Sequence, residues 1–137
     1  HRVDRRQRQM CIRDRAKNMG DGWETRRRRD KGFDWLILNS IKGKKIDKIE
    51  ISTHHFKGNY PSHCSLQAAY IPNKKSSSNI VKSSNKWKFL LKKVNLSANK
   101  THKFSNKIMK NNKINYIKIN IFPDGGISRF KIFGQSI

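Results

Sequence analysis

The sequence predicts an all-β domain, an antiparallel sandwich or jelly roll, on three observations. Two segments alternate apolar and polar residues with period two. A third is a short continuous apolar run, and no stretch sustains the 3.6-residue period of an amphipathic helix. The 137 residues hold one domain and not comfortably two, and a sandwich of about 100 residues is a common size for a single core.

Residues 1–15 (HRVDRRQRQMCIRDR) stand apart from the rest of the chain. They hold six arginines and no lysine, whereas from Ala16 onward lysine outnumbers arginine 21 to 5. They show neither helical nor strand periodicity and resemble translated adapter sequence, so they are expected to be non-native, and the domain is taken as 16–137.

The first strand is predicted at 34–40, where DWLILNS is a short apolar run suited to burial on both faces. Residues 46–53 alternate, with Ile49 and Ile51 on one face and Lys48 and Glu50 on the other. Residues 64–70 (CSLQAAY) form a third candidate. Residues 115–122 alternate most clearly, Ile117, Ile119 and Ile121 against Tyr116, Lys118 and Asn120. The last strand is expected at 127–133, with Phe130 and Ile132 sharing a face. Between these two lies Pro123-Asp124-Gly125-Gly126, turn chemistry that predicts an antiparallel hairpin. The Lys/Ser/Asn-rich stretches 73–86 and 97–113 read as surface loops, with a short apolar segment, 87–91, between them.

Composition narrows the function classes. No apolar run approaches the roughly 20 residues that span a bilayer, so no membrane partner is expected. The formal charge of +23 invites a nucleic-acid reading. Yet 21 Lys come with 13 Asn and 16 Ile, all residues with AT-rich codons, and the lysines are scattered through loops, so no nucleic-acid partner is expected. Cys11 and Cys64 form neither a disulfide framework nor a metal knuckle, which fits a reducing cytoplasm.

Three clusters carry chemistry. Residues 18–29 (NMGDGWETRRRR) set Asp21, Trp23 and Glu24 beside four arginines. Alone, the arginines are a solvated run. Beside an aromatic wall and two acids they suit a small anion, because arginine binds a carboxylate bidentately at roughly 1.5–3 kcal/mol. Residues 53–61 (THHFKGNYP) contain the pair His54-His55, a weak metal motif because strand neighbours face opposite sides, leaving one imidazole for a pocket. Residues 120–129 (NIFPDGGISR) place Arg129 opposite Phe130 and Ile132, toward solvent or an opening at the sandwich edge.

Taken together, GDGWETRRRR, the Gly-x-Asp-Trp strand start at 32–35, THHFKGNYP, and NIFPDGGISR ending in KIFG resemble the allantoicase family in order and spacing, from Ala16 to about Gly134. The resemblance implies a galactose-binding-like jelly roll and a full-length protein of two repeats. This chain is most like the second, and so is a fragment lacking its N-terminal half. It implies a hydrolase acting on C–N bonds of linear amidines, cytoplasmic and homo-oligomeric when full-length, that splits allantoate into ureidoglycolate and urea in the allantoin branch of purine catabolism. Under it Arg26, Arg27 and Arg129 hold the substrate carboxylate. Glu24, Asp21 or Asp124, and His55 share acid–base work, Lys57 and Asn59 contact the ureido groups, and Trp23 lines the site. His102 keeps a family histidine. Two positions depart from the family pattern: Ser52 stands where Asp precedes the threonine, and Phe33 where His precedes Asp34. Carboxylates and histidines are available to a divalent metal, but no ligand spacing compels one. The competing readings are a non-catalytic small-ligand-binding jelly-roll module, from a repeat that kept the fold and lost the reaction, and a basic nucleic-acid binder.

Overall fold

The structure, a computed structural model, describes residues 9–10, 23–25, 32–73 and 75–136. In chain order its elements are β1 (Gln9–Met10), β2 (Trp23–Glu24), β3 (Asp34–Ser52), β4 (His63–Ala69), α1 (Ser77–Ser84), β5 (Lys88–Asn95), β6 (Thr101–Phe104), β7 (Ile114–Phe122), β8 (Gly126–Ile127) and β9 (Arg129–Ser136).

The organising element is β3. Its first part pairs antiparallel with β7, Asp34 opposite Ile121 through Asn39 opposite Tyr116, and the register shifts before Lys44. Beyond that break its second part pairs antiparallel with β9, and its last four residues also with β6. One strand thus serves both layers of a jelly-roll sandwich, the bulge turning it from β3–β7–β4–β5 into β9–β3–β6. The segments 34–40 and 46–53, expected as two strands, are therefore one. β1 lies parallel to β3 at Ile37–Leu38.

The alternation read from the sequence decides which side chains enter the core. Leu36, Leu38, Ile117, Ile119, Ile121, Cys64 and Leu66 from one layer meet Ile46, Ile49, Ile51 and Phe130 from the other. Burial pushes the Cys64 thiol up to about 12, so it is a packing residue and not a nucleophile. The opposite face of the first layer is covered by α1, where Ile37, Ile80, Trp87 and Tyr116 form a second small cluster. The same helix-covered face carries a buried polar seam beside this cluster. Lys118 Nζ donates to Ser84 Oγ (3.0 Å) and Asn85 Oδ1 (3.1 Å) and stands 4.8 Å from the Trp35 ring. Burial holds the Lys118 ammonium below its ordinary pKa.

Three further expectations are corrected. Residues 77–84 form a helix inside a stretch expected as loop: Ser76 caps it, its hydroxyl accepting from the Asn79 amide, and only Ile80 and Ser84 are buried. Residues 101–104 form β6, held by pairing with β3. The segment 123–126 closes no hairpin, because β9 takes its partner from β3 and β8 from β2, so the turn carries the chain across the rim from one layer to the other.

Candidate functional site

Where β3 ends, the chain enters the 53–61 loop, and Thr53 fixes its direction. Its hydroxyl donates to the Ser97 carbonyl (2.5 Å) and accepts from the Lys100 amide (3.1 Å), while its own amide donates to the Lys100 carbonyl (2.8 Å). Phe56 turns inward and is 0% exposed. Gly126 lies against its ring. A Cβ on Gly126 would come within 2.2 Å of Phe56, so only glycine passes there. Its neighbour Gly125 has φ +132°, and a Cβ there would lie 2.6 Å from the Pro61 nitrogen.

On the other side of this glycine strap lies the Trp23–Thr25 segment. β2 pairs antiparallel with β8, Trp23 opposite Ile127 and Glu24 opposite Gly126. The Thr25 amide donates to the Gly125 carbonyl (2.9 Å), and the Gly125 amide donates back to the Thr25 hydroxyl (3.1 Å). The Gly126 amide donates to the Asn59 carbonyl (2.8 Å). Backbone from all three sequence clusters therefore meets on Gly125–Gly126, although the clusters lie up to about a hundred residues apart.

Around this junction the side chains divide. Trp23 is 8% exposed and belongs to the core, its Nε1 buried without a hydrogen-bond partner. Arg129 opens β9 opposite Ser52 and is half-buried, its Nε likewise enclosed and unpartnered. Beside it the Ser128 amide donates to the Ser52 carbonyl (2.9 Å). Asn59 and Asp124 are half-buried, and Lys57 is exposed. His54 and His55 are both exposed and lie in a turn beyond the end of β3, so strand alternation does not sort them. His55 has φ +74°, with its amide donating to Asn99 Oδ1 (3.0 Å). Asp21, Arg26 and Arg27 lie outside the described residues, as does the Glu24 side chain.

Two further residues acquire roles. Asp34, in the Gly-x-Asp-Trp strand start, is 2% exposed and shares the inward parity of Leu36 and Leu38. A carboxylate is kept in such a place only when it is satisfied there. His102 is a strut: Nε2 accepts from the Ser97 amide (2.8 Å), which leaves Nδ1 to donate to the Ile51 carbonyl (3.0 Å). Its ring is committed to holding the loop beneath Thr53. Among the described residues no three His, Cys, Asp or Glu side chains gather as a cation site requires. No helix among them is long and apolar enough to cross a membrane.

The family model described as "Allantoicase repeat" matches residues 5–137. The chain belongs to the allantoicase family. A probable allantoicase of Acinetobacter baumannii strain AYE is 47% identical over 121 residues, covering 88% of this chain and 36% of that protein. One of Stutzerimonas stutzeri strain A1501 is 44% identical over 123 residues, covering 90% of this chain and 37% of that protein. Among solved structures, one allantoicase superposes with a TM-score of 0.72 at 28% identity, over 89% of this chain and 34% of the other. The crystal structure of Saccharomyces cerevisiae allantoicase gives 0.70 at 27%, over 86% and 33%. The chain thus spans about a third of the length of these allantoicases.

Ser52 and Phe33 have structural uses here. The Ser52 hydroxyl is buried and accepts from the His54 amide (3.3 Å) and the Thr101 hydroxyl (3.2 Å), tying the loop to β6. The Phe33 ring lies tilted on that of Phe122, centroids 5.0 Å apart.

Proposed function

We propose that this chain is one repeat of an allantoicase whose full-length form hydrolyses allantoate to ureidoglycolate and urea, a step of allantoin and purine catabolism. The observation that carries the reading is the junction at Gly125–Gly126, where Trp23–Thr25, the Asn59 carbonyl and the approach to Arg129 are brought together by backbone bonds.

The substrate has one carboxylate and two ureido groups on a single tetrahedral carbon. Hydrolysis breaks one bond from that carbon to a ureido nitrogen. The nitrogen takes a proton and leaves as urea, the hydroxyl of water ends on the carbon, and the second proton of water goes to a base. Arg26, Arg27 and Arg129 hold the carboxylate, for which planar guanidinium forks are suited. Glu24, Asp21 or Asp124, and His55 share the proton transfers, help of a kind worth about 10²–10⁴ in rate. Lys57 and Asn59 contact the ureido groups, and Trp23 backs the site. The reading carries with it a cytoplasmic, homo-oligomeric full-length enzyme.

A second reading, a jelly-roll module that binds a small ligand without reacting, is favoured by Ser52 and Phe33, which give to packing two positions where the family pattern has Asp and His. The test is urea release from allantoate by the full-length protein, with Glu24→Gln beside it. Loss of about 10² or more in kcat with an unchanged unfolding midpoint supports the assignment. Undiminished turnover removes Glu24 from the mechanism, and allantoate binding without urea release leaves the binding module.

A further inference from the structure

At the far end of the sandwich from the glycine strap lies a concavity of about 310 Å³, between the β4–β5 edge and the segment leading into β7. That is within the size of small-ligand pockets, roughly 300–1,000 Å³. It opens beside Ala69 and Ile114, whereas the glycine strap follows Phe122, the opposite end of β7. At about 3.4 Å per residue the length of that strand separates the two by well over 20 Å.

The lining has a definite chemistry. Lys88, Lys110 and Lys113 line it with Tyr70 and Phe89, and no acid is among the lining residues. Both rings are open to solvent, Tyr70 at 41% and Phe89 at 47%. The Lys113 ammonium stands 4.6 Å from the Tyr70 ring centroid. Its stem is laid down on Gly43, where an added Cβ would come within 2.6 Å of it.

The walls are also pinned. Asn111 Oδ1 accepts from the Ile46 amide (2.8 Å), and its Nδ2 donates to the Ile46 and Met109 carbonyls, so the carboxamide holds one wall to β3. Asn115 ties the same segment to Ile71 beyond β4, accepting from the Ile71 amide and donating to the Ile71 carbonyl, both at 2.8 Å. The Met109 amide donates to the Leu90 carbonyl (2.8 Å). The two asparagine clamps hold the segment 111–115 on one side of an open, acid-free groove, a preorganisation that lowers the ordering cost of binding.

We propose that this groove binds a flat heteroaromatic ring carrying a phosphate, a ligand of the nucleoside monophosphate class. The rings offer stacking surfaces that accept any base. Three lysines and no acid among the lining residues supply the positive point charges with which a phosphate is bound.

The experiment uses the 137-residue chain with AMP as probe, titrated by calorimetry and followed by amide NMR. AMP is expected to bind at least about tenfold more tightly than adenosine or inorganic phosphate alone, a gap of roughly 1.4 kcal/mol. Amide shifts should centre on residues 68–70, 88–90 and 110–114. Lys113→Gln and Tyr70→Leu should each weaken AMP about tenfold, while Lys131→Gln on β9, outside the lining, changes it less than about twofold. The proposal is overturned if AMP does not bind or binds no better than phosphate. It is equally overturned if Lys131→Gln weakens AMP as much as Lys113→Gln, or if the shifts lie elsewhere, since binding is then the diffuse attraction of a +23 chain.

Discussion

Gly126→Ala is the perturbation whose size follows most directly from the geometry. The new methyl would sit 2.2 Å from Phe56 Cε1, against an ordinary carbon contact of about 3.5–4.0 Å. Ring or strap must therefore retreat by more than about 1 Å. Phe56 is fully buried and has nowhere to go. The strap is held by Asn59 on one side and by β2 on the other, so any retreat also lengthens the 2.8 Å bond from the Gly126 amide. Overpacking costs typically about 1–3 kcal/mol, and the upper end applies because packing and hydrogen bonding are lost together. For a chain of this size that is about 10 °C in melting temperature. Gly58→Ala is the control: nothing lies within 4 Å of its added Cβ and its φ is not left-handed, so it should stay within about 0.5 kcal/mol of the parent. Thermal and urea unfolding of the three proteins, followed by circular dichroism, give the comparison. If Gly126→Ala melts within about 2 °C of the parent, Phe56 does not underlie the strap, and the convergence of the loops loses its support.

Thr53→Val keeps the shape but strands the Ser97 carbonyl and the Lys100 amide; a loss of about 1–3 kcal/mol is expected from urea unfolding, and no loss would mean that the two loops are not joined there. Lys118 gives up its proton at lower pH in the folded protein than in the unfolded chain, whose lysine value is 10.5. Between the two values the unfolded state holds more protons, so this group makes stability rise with pH. The stability of the parent relative to Lys118→Met should therefore improve as pH climbs through that window, and a flat difference contradicts the desolvation of this ammonium. Cys64, its thiol pushed up to about 12, should resist iodoacetamide at pH 8 in the native protein and react once unfolded, read by peptide mass spectrometry; rapid native labelling would contradict its burial.

The β-architecture was legible wherever strands put one face in the core. Ile49 and Ile51, and Ile117, Ile119 and Ile121, carry their burial in their spacing. Elements held by something other than an apolar stripe were not legible. The helix Ser77–Ser84 buries only Ile80 and Ser84, and its last serine is occupied by Lys118, a partner 34 residues away. β6 has a mostly half-exposed pattern and exists through its pairing with β3. The glycines of 123–126 misled for a physical reason. Close approach and a tight turn ask for the same residue, and here Gly126 answers to the Phe56 ring and Gly125 to the Pro61 backbone. In the candidate site, the clusters around Trp23, Asn59 and Arg129 were visible as residue types, and the structure brings their backbones together. The supports beneath them were not visible. A threonine, a histidine and two buried serines look like ordinary surface polar residues until Thr53, His102, Ser52 and Ser128 are seen bonding to backbone or to one another across the rim.

The most direct test is hydrogen exchange on the full-length Glu24→Gln protein, which retains allantoate unreacted if Glu24 acts as proposed. Saturating allantoate is expected to slow exchange together in the segments 23–25, 54–60 and 124–129, the three that meet on Gly125–Gly126. Slowing confined to one of them, or urea release by the parent enzyme with none of them protected, would contradict the account.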